Sequence, residues 1–187
     1  MRTLAAILML TAALGCSTDH AAPPAPRPYA YHRPAPADTT TTLWQQGADS
    51  WIYNTEATAM SPRAGWLTVA YPKRHLNIYI TYTRARGDEL AAARSNRMER
   101  LLLNSGSGSA TEQEYTNAQG WQIYLLKSQN TTTPLQFLAT DGVSTLVSGS
   151  LQSTAEAVDY EAIRPDVEMV TRDIFTSLGR LGINDKN

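Results

Sequence analysis

The chain has 187 residues, with 16 Lys and Arg against 17 Asp and Glu and a formal net charge of −1. That balance exerts no general pull on a polyanion, which excludes nucleic acid as an electrostatically recruited partner. A single cysteine excludes an internal disulfide, so burial alone must hold the fold; 42% hydrophobic residues, four Trp and nine Tyr supply a core.

The first predicted element opens with Arg2, runs through the apolar residues 4–14 and leaves through Gly15 into Cys16. A positive start, a short apolar centre and a small-residue exit make an export signal. The run is well short of the roughly 20 residues that span a bilayer. Because it ends on the sole cysteine, it resembles the bacterial lipoprotein signal, in which the thiol is acylated, palmitate included, and becomes the first mature residue. Such signals prefer Leu at the position held here by Ala13. The alternative is ordinary secretion with Cys16 a free thiol. On the favoured reading residues 1–15 are removed and the bilayer holds acylated Cys16. Each buried CH₂ contributes about 0.8 kcal/mol, so detachment is slow.

Residues 16–43 read as a linker. Six of the ten prolines lie here, and no aliphatic side chain larger than Ala follows Cys16 before Leu43. Such a segment cannot bury enough to offset its ordering entropy and should be extended, reaching about 80 Å at roughly 3.1 Å per residue. Within it Arg27, Pro28, Tyr29, Tyr31, His32 and Arg33 place aromatic and cationic groups side by side. Tyr and Arg dominate interface hot spots, so these six are the candidate partner-binding residues, docking on a partner or folding back on the domain. The plainer reading is a decorated spacer.

Residues 44–187 read as one globular domain. Strands are predicted over 51–56, 66–71 and 76–83; the third is the clearest, with Leu76, Ile78, Ile80 and Tyr82 alternating with polar residues. A helix is predicted over 88–104, with Asp88 as N-cap and Ser105-Gly106 as its stop. Its apolar stripe is Leu90, Ala91, Met98, Leu101 and Leu102, with Arg94, Arg97 and Arg100 facing water. Four further strands follow over 112–118, 120–128, 135–140 and 145–152, the last two joined by the turn signal Asp141-Gly142. The final helix carries Ile163, Val167, Val170, Ile174, Leu178 and Leu181 at spacings of three and four, with Pro165 near its start. The order βββαββββα gives an α+β class: a mainly antiparallel sheet of about six or seven strands with two helices packed on it.

Groups for catalysis are sparse. His20 and His32 lie in the linker and His75 in a turn, and no HExxH, GxSxG, P-loop or GxGxxG string is present. Asp88 and Glu89 are explained by helix capping, and Ser148-Gly149-Ser150 by strand alternation. The expectation is therefore no enzyme, no cofactor and no metal site. Lys73, Arg74, Arg84, Arg86, Arg94, Arg97 and Arg100 outnumber nearby acids and would either form a basic patch toward lipid headgroups or an acidic partner, or lie on separately solvated faces.

Several blocks, in order, carry a resemblance: the lipoprotein signal, RPYAYHRP at 27–34, WLTVAYPKRHLNIYITY at 66–82, LQFLATDGVSTLVSGSL at 135–151 and IRPDVEMVTRDIFTSLGRLG at 163–182. Together they resemble the gliding-motility lipoprotein GldD family of Bacteroidetes-type bacteria. The family's Pro-Tyr-Gly-Tyr-like core is matched by Pro28, Tyr29, Ala30 and Tyr31, with Ala for Gly. Its Gln-Phe-Phe-like and Arg-Gly-Ser-Leu-like strings are met by Gln136-Phe137-Leu138 and, less closely, Ser148-Gly149-Ser150-Leu151. Leu181 and Ile183 stand where the family's last helix ends near an aromatic.

The resemblance implies a membrane-anchored, non-catalytic lipoprotein required for gliding motility. It implies linkage to the type IX secretion system and action by protein–protein contact with gliding and secretion proteins of the envelope. Ser17, Thr18, Asp19 and His20 lack an acidic export-tag run, and Ser17 beside Cys16 favours the outer membrane, facing the periplasm. A weaker analogy makes the domain PsbP/Mog1-like, which carries no function by itself. The alternative is an envelope lipoprotein holding a small ligand or lipid between sheet and helices, in a pocket above about 300 Å³ lined by residues such as Trp121, Tyr124 and Phe137.

Overall fold

The elements, in chain order, are β1 (Thr41–Gln46), β2 (Asp49–Asn54), β3 (Thr58–Met60), β4 (Trp66–Tyr71), β5 (Leu76–Arg84), α1 (Asp88–Asn104), β6 (Ala110–Thr116), β7 (Gln122–Ser128), β8 (Leu135–Thr140), β9 (Thr145–Ser153) and α2 (Tyr160–Gly179). They come from a computed structural model that describes residues 39–105, 110–129, 131–155 and 159–183. β3 to β9 form one seven-stranded antiparallel sheet in the order β3-β4-β5-β9-β8-β7-β6, while β1 and β2 make a separate hairpin. This is the predicted α+β class with its two helices, to which the structure adds β1 and β3.

Period-two alternation sets what each face does. Leu67, Val69, Leu76, Ile78, Ile80, Ile123, Leu125, Phe137 and Leu151 point to one face and are almost fully buried there. Val170, Ile174 and Leu178 of α2 cover that face, joined by Trp51 from β2. Trp51 stacks on Phe137 with ring centroids 5.6 Å apart. Gly149 makes this possible: a Cβ there would lie 2.3 Å from the Phe137 ring and 2.6 Å from the Tyr79 carbonyl oxygen.

On the opposite face Leu138 and Leu146 meet Leu90 and Leu101 of α1. The covering is local, with Gln136 donating to the Leu101 carbonyl at 3.3 Å. α1 differs from its sequence reading in three respects. Gly87, with φ 54°, occupies the cap position, and no side chain caps the helix. Ala91 and Leu102 are exposed, and Arg94 and Arg97 are half-buried. The buried stripe is thus narrower than the periodicity implies, because a single helix over a wide sheet touches it along one line.

α2 begins at Tyr160, where the Asp159 carboxylate accepts from the Glu161 and Ala162 N–H groups. Pro165 sits inside it, with Leu181 in the turn beyond. Asn117 locks that end: its Oδ1 accepts from the Gln119 and Trp121 N–H groups, and its Nδ2 donates to the Leu178 and Leu181 carbonyls at 3.0 and 3.1 Å. One side chain thus shapes the β6–β7 turn and satisfies terminal carbonyls of α2.

Candidate functional site

The densest cluster of charge lies under α2. Pro72 to Arg74 form a short 3₁₀ turn closed by His75 in the left-handed region, φ 51°, and the turn directs Arg74 inward until it is only 7% exposed. Its Nε and Nη2 donate to Glu56 at 2.6 and 3.0 Å and its Nη1 to Asp166 at 2.5 Å. Beside it the Tyr71 hydroxyl donates to Asp173 at 2.8 Å. Burial pushes the Tyr71 hydroxyl far above its ordinary range, helped by the Asp173 charge. Burial also lifts the Asp173 carboxyl, against the Tyr71 hydrogen bond and the Arg74 charge, which act to lower it. These groups satisfy one another and fasten the β2–β3 turn, β4 and the 3₁₀ turn to α2.

Of the other basic residues named from sequence, Arg84 and Arg94 meet separate partners. Arg84 reaches Asp49 and Thr145, and Arg94 lies 4.0 Å from Glu114. With Arg74 withdrawn into the interior, the basic residues do not all share one surface. Burial pushes the Asp141 carboxyl upward, but the N–H groups of Ser144, Val143 and Thr145 outweigh it and bring the group to about 2. Its role is to set the β8–β9 turn. Asp88 and Glu89 are exposed on the first turn of α1. Ser148 and Ser150 are half-buried on β9, and Ser150 accepts from Gln152. Among the described residues no group of three or more His, Cys, Asp or Glu could hold a metal ion.

What the described domain does present is uncovered sheet. Beyond α1, the registers Met60↔Thr68↔Tyr79↔Ser150 and Trp66↔Thr81↔Ser148 align side chains on one face of β3, β4, β5 and β9. Met60 is 64% exposed, Trp66 42% and Tyr79 39%. The Arg63 guanidinium stacks over the Trp66 ring at 3.7 Å. Large apolar side chains clustered among Thr and Ser on a pleated surface have the composition of an interface.

Two clefts open elsewhere. One, of about 400 Å³, lies at the end of the domain where Tyr82, Arg84, Trp121, Asp141 and Leu181 converge. The second, of about 610 Å³, runs between α2 and the β6–β7 edge, lined among others by Thr111, Lys127, Ile163, Val167 and Phe175. Neither is the pocket expected of Trp121, Tyr124 and Phe137. Tyr124 pairs with Leu138 and Phe137 with Leu125, so alternation puts Tyr124 and Phe137 on opposite faces of the sheet. Phe137 is wholly buried against Trp51, and of the three only Trp121 lines either cleft.

Cys16 and the candidates Arg27, Pro28, Tyr29, Tyr31, His32 and Arg33 lie outside the described residues. Sequence reasoning missed the Glu56–Arg74–Asp166 bridge, whose members are 18 and 92 residues apart, so no local pattern marks it. It also missed the cleft beside α2, for which the one signal was a helix stripe wider than a single packed face requires. No helix among the described residues is long and apolar enough to cross a membrane. No curated protein and no solved structure matches the chain. The family model for the gliding motility lipoprotein GldD, however, matches residues 22–179, through linker, sheet and both helices. The chain belongs to the GldD family of gliding-motility lipoproteins.

Proposed function

We propose that this protein serves gliding motility and the associated type IX secretion system by protein contact rather than by chemistry. Residues 1–15 are the signal, acylated Cys16 is the anchor, residues 16–43 are the spacer and residues 44–187 the contact domain. The anchor sits in the outer membrane and the domain faces the periplasm. The carrying observation is the sheet surface of Met60, Trp66 and Tyr79, left uncovered by either helix. It supports contact because exposed aromatic groups on a rigid sheet lose little entropy when covered. The charge pairs support it too, since Arg74, Glu56, Asp166, Tyr71 and Asp173 engage one another and leave no free acid or base among them.

In the spacer, Arg27, Pro28, Tyr29, Tyr31, His32 and Arg33 add a second contact on an extended leash. The test deletes residues 23–36 while keeping Cys16, then scores gliding and in-envelope crosslinking. Loss of motility with loss of crosslinked partners is expected. Parental motility with an unchanged crosslinking pattern removes the spacer from the mechanism.

A further inference from the structure

β6 is an edge strand: among the described residues its only sheet neighbour is β7, so the outer ladder of a seven-residue strand is open. The other edge, β3, has three residues and offers far less. Long open edges invite pairing with another chain. Beside the start of β6 lies the 610 Å³ groove, which touches that strand at Thr111 and is otherwise walled by the end of β7, the residues that follow it and α2. Ile163, Val167, Thr171 and Phe175, four residues apart along the helix, face it, and all four are only half-buried. Lys127 sits 5.1 Å from the Phe175 ring, and Tyr115 stacks on Phe175 at 6.3 Å. The groove is therefore bounded at the Tyr115 end and extends toward Thr111. An edge strand beside a part-apolar helix groove is the geometry in which an extended peptide adds a strand and drops alternate side chains into pockets.

Charge narrows the occupant. Glu112 and Glu114 pair with Leu126 and Tyr124 and so lie on the face of β6 away from the groove. Burial, with the nearby Glu112 and Glu114 carboxylates, pushes the Tyr124 hydroxyl up to about 12. Glu114 has its side chain 66% exposed. A second copy pairing antiparallel about Gln113 would set Glu112 opposite Glu114 twice, and like charges directly opposite are destabilising. A basic strand would meet complementary charge at the same positions.

We propose that β6 and the α2 groove bind an extended segment of another envelope polypeptide whose residues alternate apolar and basic, the apolar side chains lying on the α2 side and entering the groove beside Thr111, the basic ones facing Glu112 and Glu114. This rests on the contact reading above and names the chemistry of one partner. The test uses the full lipidated chain in detergent and three labelled eight-residue peptides: alternating Lys and Val, alternating Glu and Val, and a block of four Lys followed by four Val.

Fluorescence polarisation should show the alternating Lys–Val peptide binding at least tenfold more tightly than the other two. E112K/E114K should reverse the order of the alternating pair, and V167R should weaken both alternating peptides by tenfold or more. Equal binding of alternating and block peptides, no binding, or an order unchanged by E112K/E114K overturns the proposal. So does a stoichiometric lipid in native mass spectrometry that V167R removes while no peptide binds. If the peptides fail but deletion of residues 23–36 still abolishes motility and crosslinking, only this inference falls and the contact reading stands.

Discussion

Replacing Arg74 with alanine leaves two carboxylates facing an empty site beneath α2. In the parent, the guanidinium is 7% exposed and donates to Glu56 at 2.6 and 3.0 Å and to Asp166 at 2.5 Å, so both acids are compensated by one cation. Removing one partner of a buried ion pair costs about 3–5 kcal/mol, because the remaining charge stays desolvated. For a domain of this size that corresponds to a fall of about 10 °C or more in Tm. The assay is urea denaturation followed by circular dichroism on a chain lacking residues 1–16.

A pH series separates lost charge pairing from lost volume. Burial holds the Asp173 carboxyl above its ordinary range, and the Arg74 charge opposes that rise. Without Arg74 the carboxyl moves further up, so the folded variant binds a proton more readily than its unfolded chain. The deficit against the parent should therefore shrink as pH falls from 7 toward 5. R74M, which keeps bulk but not charge, should be nearly as unstable as R74A, and adding E56Q and D166N should recover much of the loss. An R74A deficit below about 1 kcal/mol, or one identical at pH 7 and pH 5, refutes the reasoning.

Gly149→Ala should cost about 3 kcal/mol or prevent folding, since its Cβ would meet both the Phe137 ring and the Tyr79 carbonyl oxygen; Phe137→Leu relieves only the ring, so the double variant should recover part of the Tm and no more. Asp141 has a carboxyl lowered to about 2 by three backbone N–H groups. Its contribution, on the order of 1 kcal/mol after solvent screening, should be complete above the unfolded value of about 4 and disappear as pH drops through about 2. An Asp141→Ala deficit in denaturant midpoint that does not close over that interval counts against the turn assignment.

The strongest periodic signals led directly to structure. Leu76, Ile78, Ile80 and Tyr82 form the inward face of β5, Asp141-Gly142 turns the β8–β9 hairpin, and Val170, Ile174 and Leu178 seat α2. β1 escaped because Thr41–Gln46 is exposed along nearly its whole length and shows no buried alternation. β3 escaped because three residues carry no period. At α1 the sequence favours Asp88 as cap, yet the chain turns on Gly87, whose positive φ an aspartate would adopt only with strain.

Site legibility followed distance along the chain. The uncovered surface could be suspected from Trp66 and Tyr79, but whether a strand face is covered depends on where a distant helix lands. Glu56, Arg74 and Asp166 come from the β2–β3 turn, the 3₁₀ turn and α2, and no spacing rule joins them. The groove beside α2 is lined by Ile163 and Val167, which are apolar and in phase with the core residues yet only half-buried, and the helix pattern alone does not say which of its apolar positions the sheet will cover.

The central position of β9 has a consequence for the timing of assembly. β9 pairs with β5 over nine positions and with β8 over six, and it alone joins β3-β4-β5 to β8-β7-β6. Two half-sheets made earlier in synthesis share no seam until Thr145–Ser153 arrives, so closure waits for the last quarter of the polypeptide. Contacts this distant in sequence form slowly. Until that ninth strand is in place the two halves remain separate flaps with no roof between them.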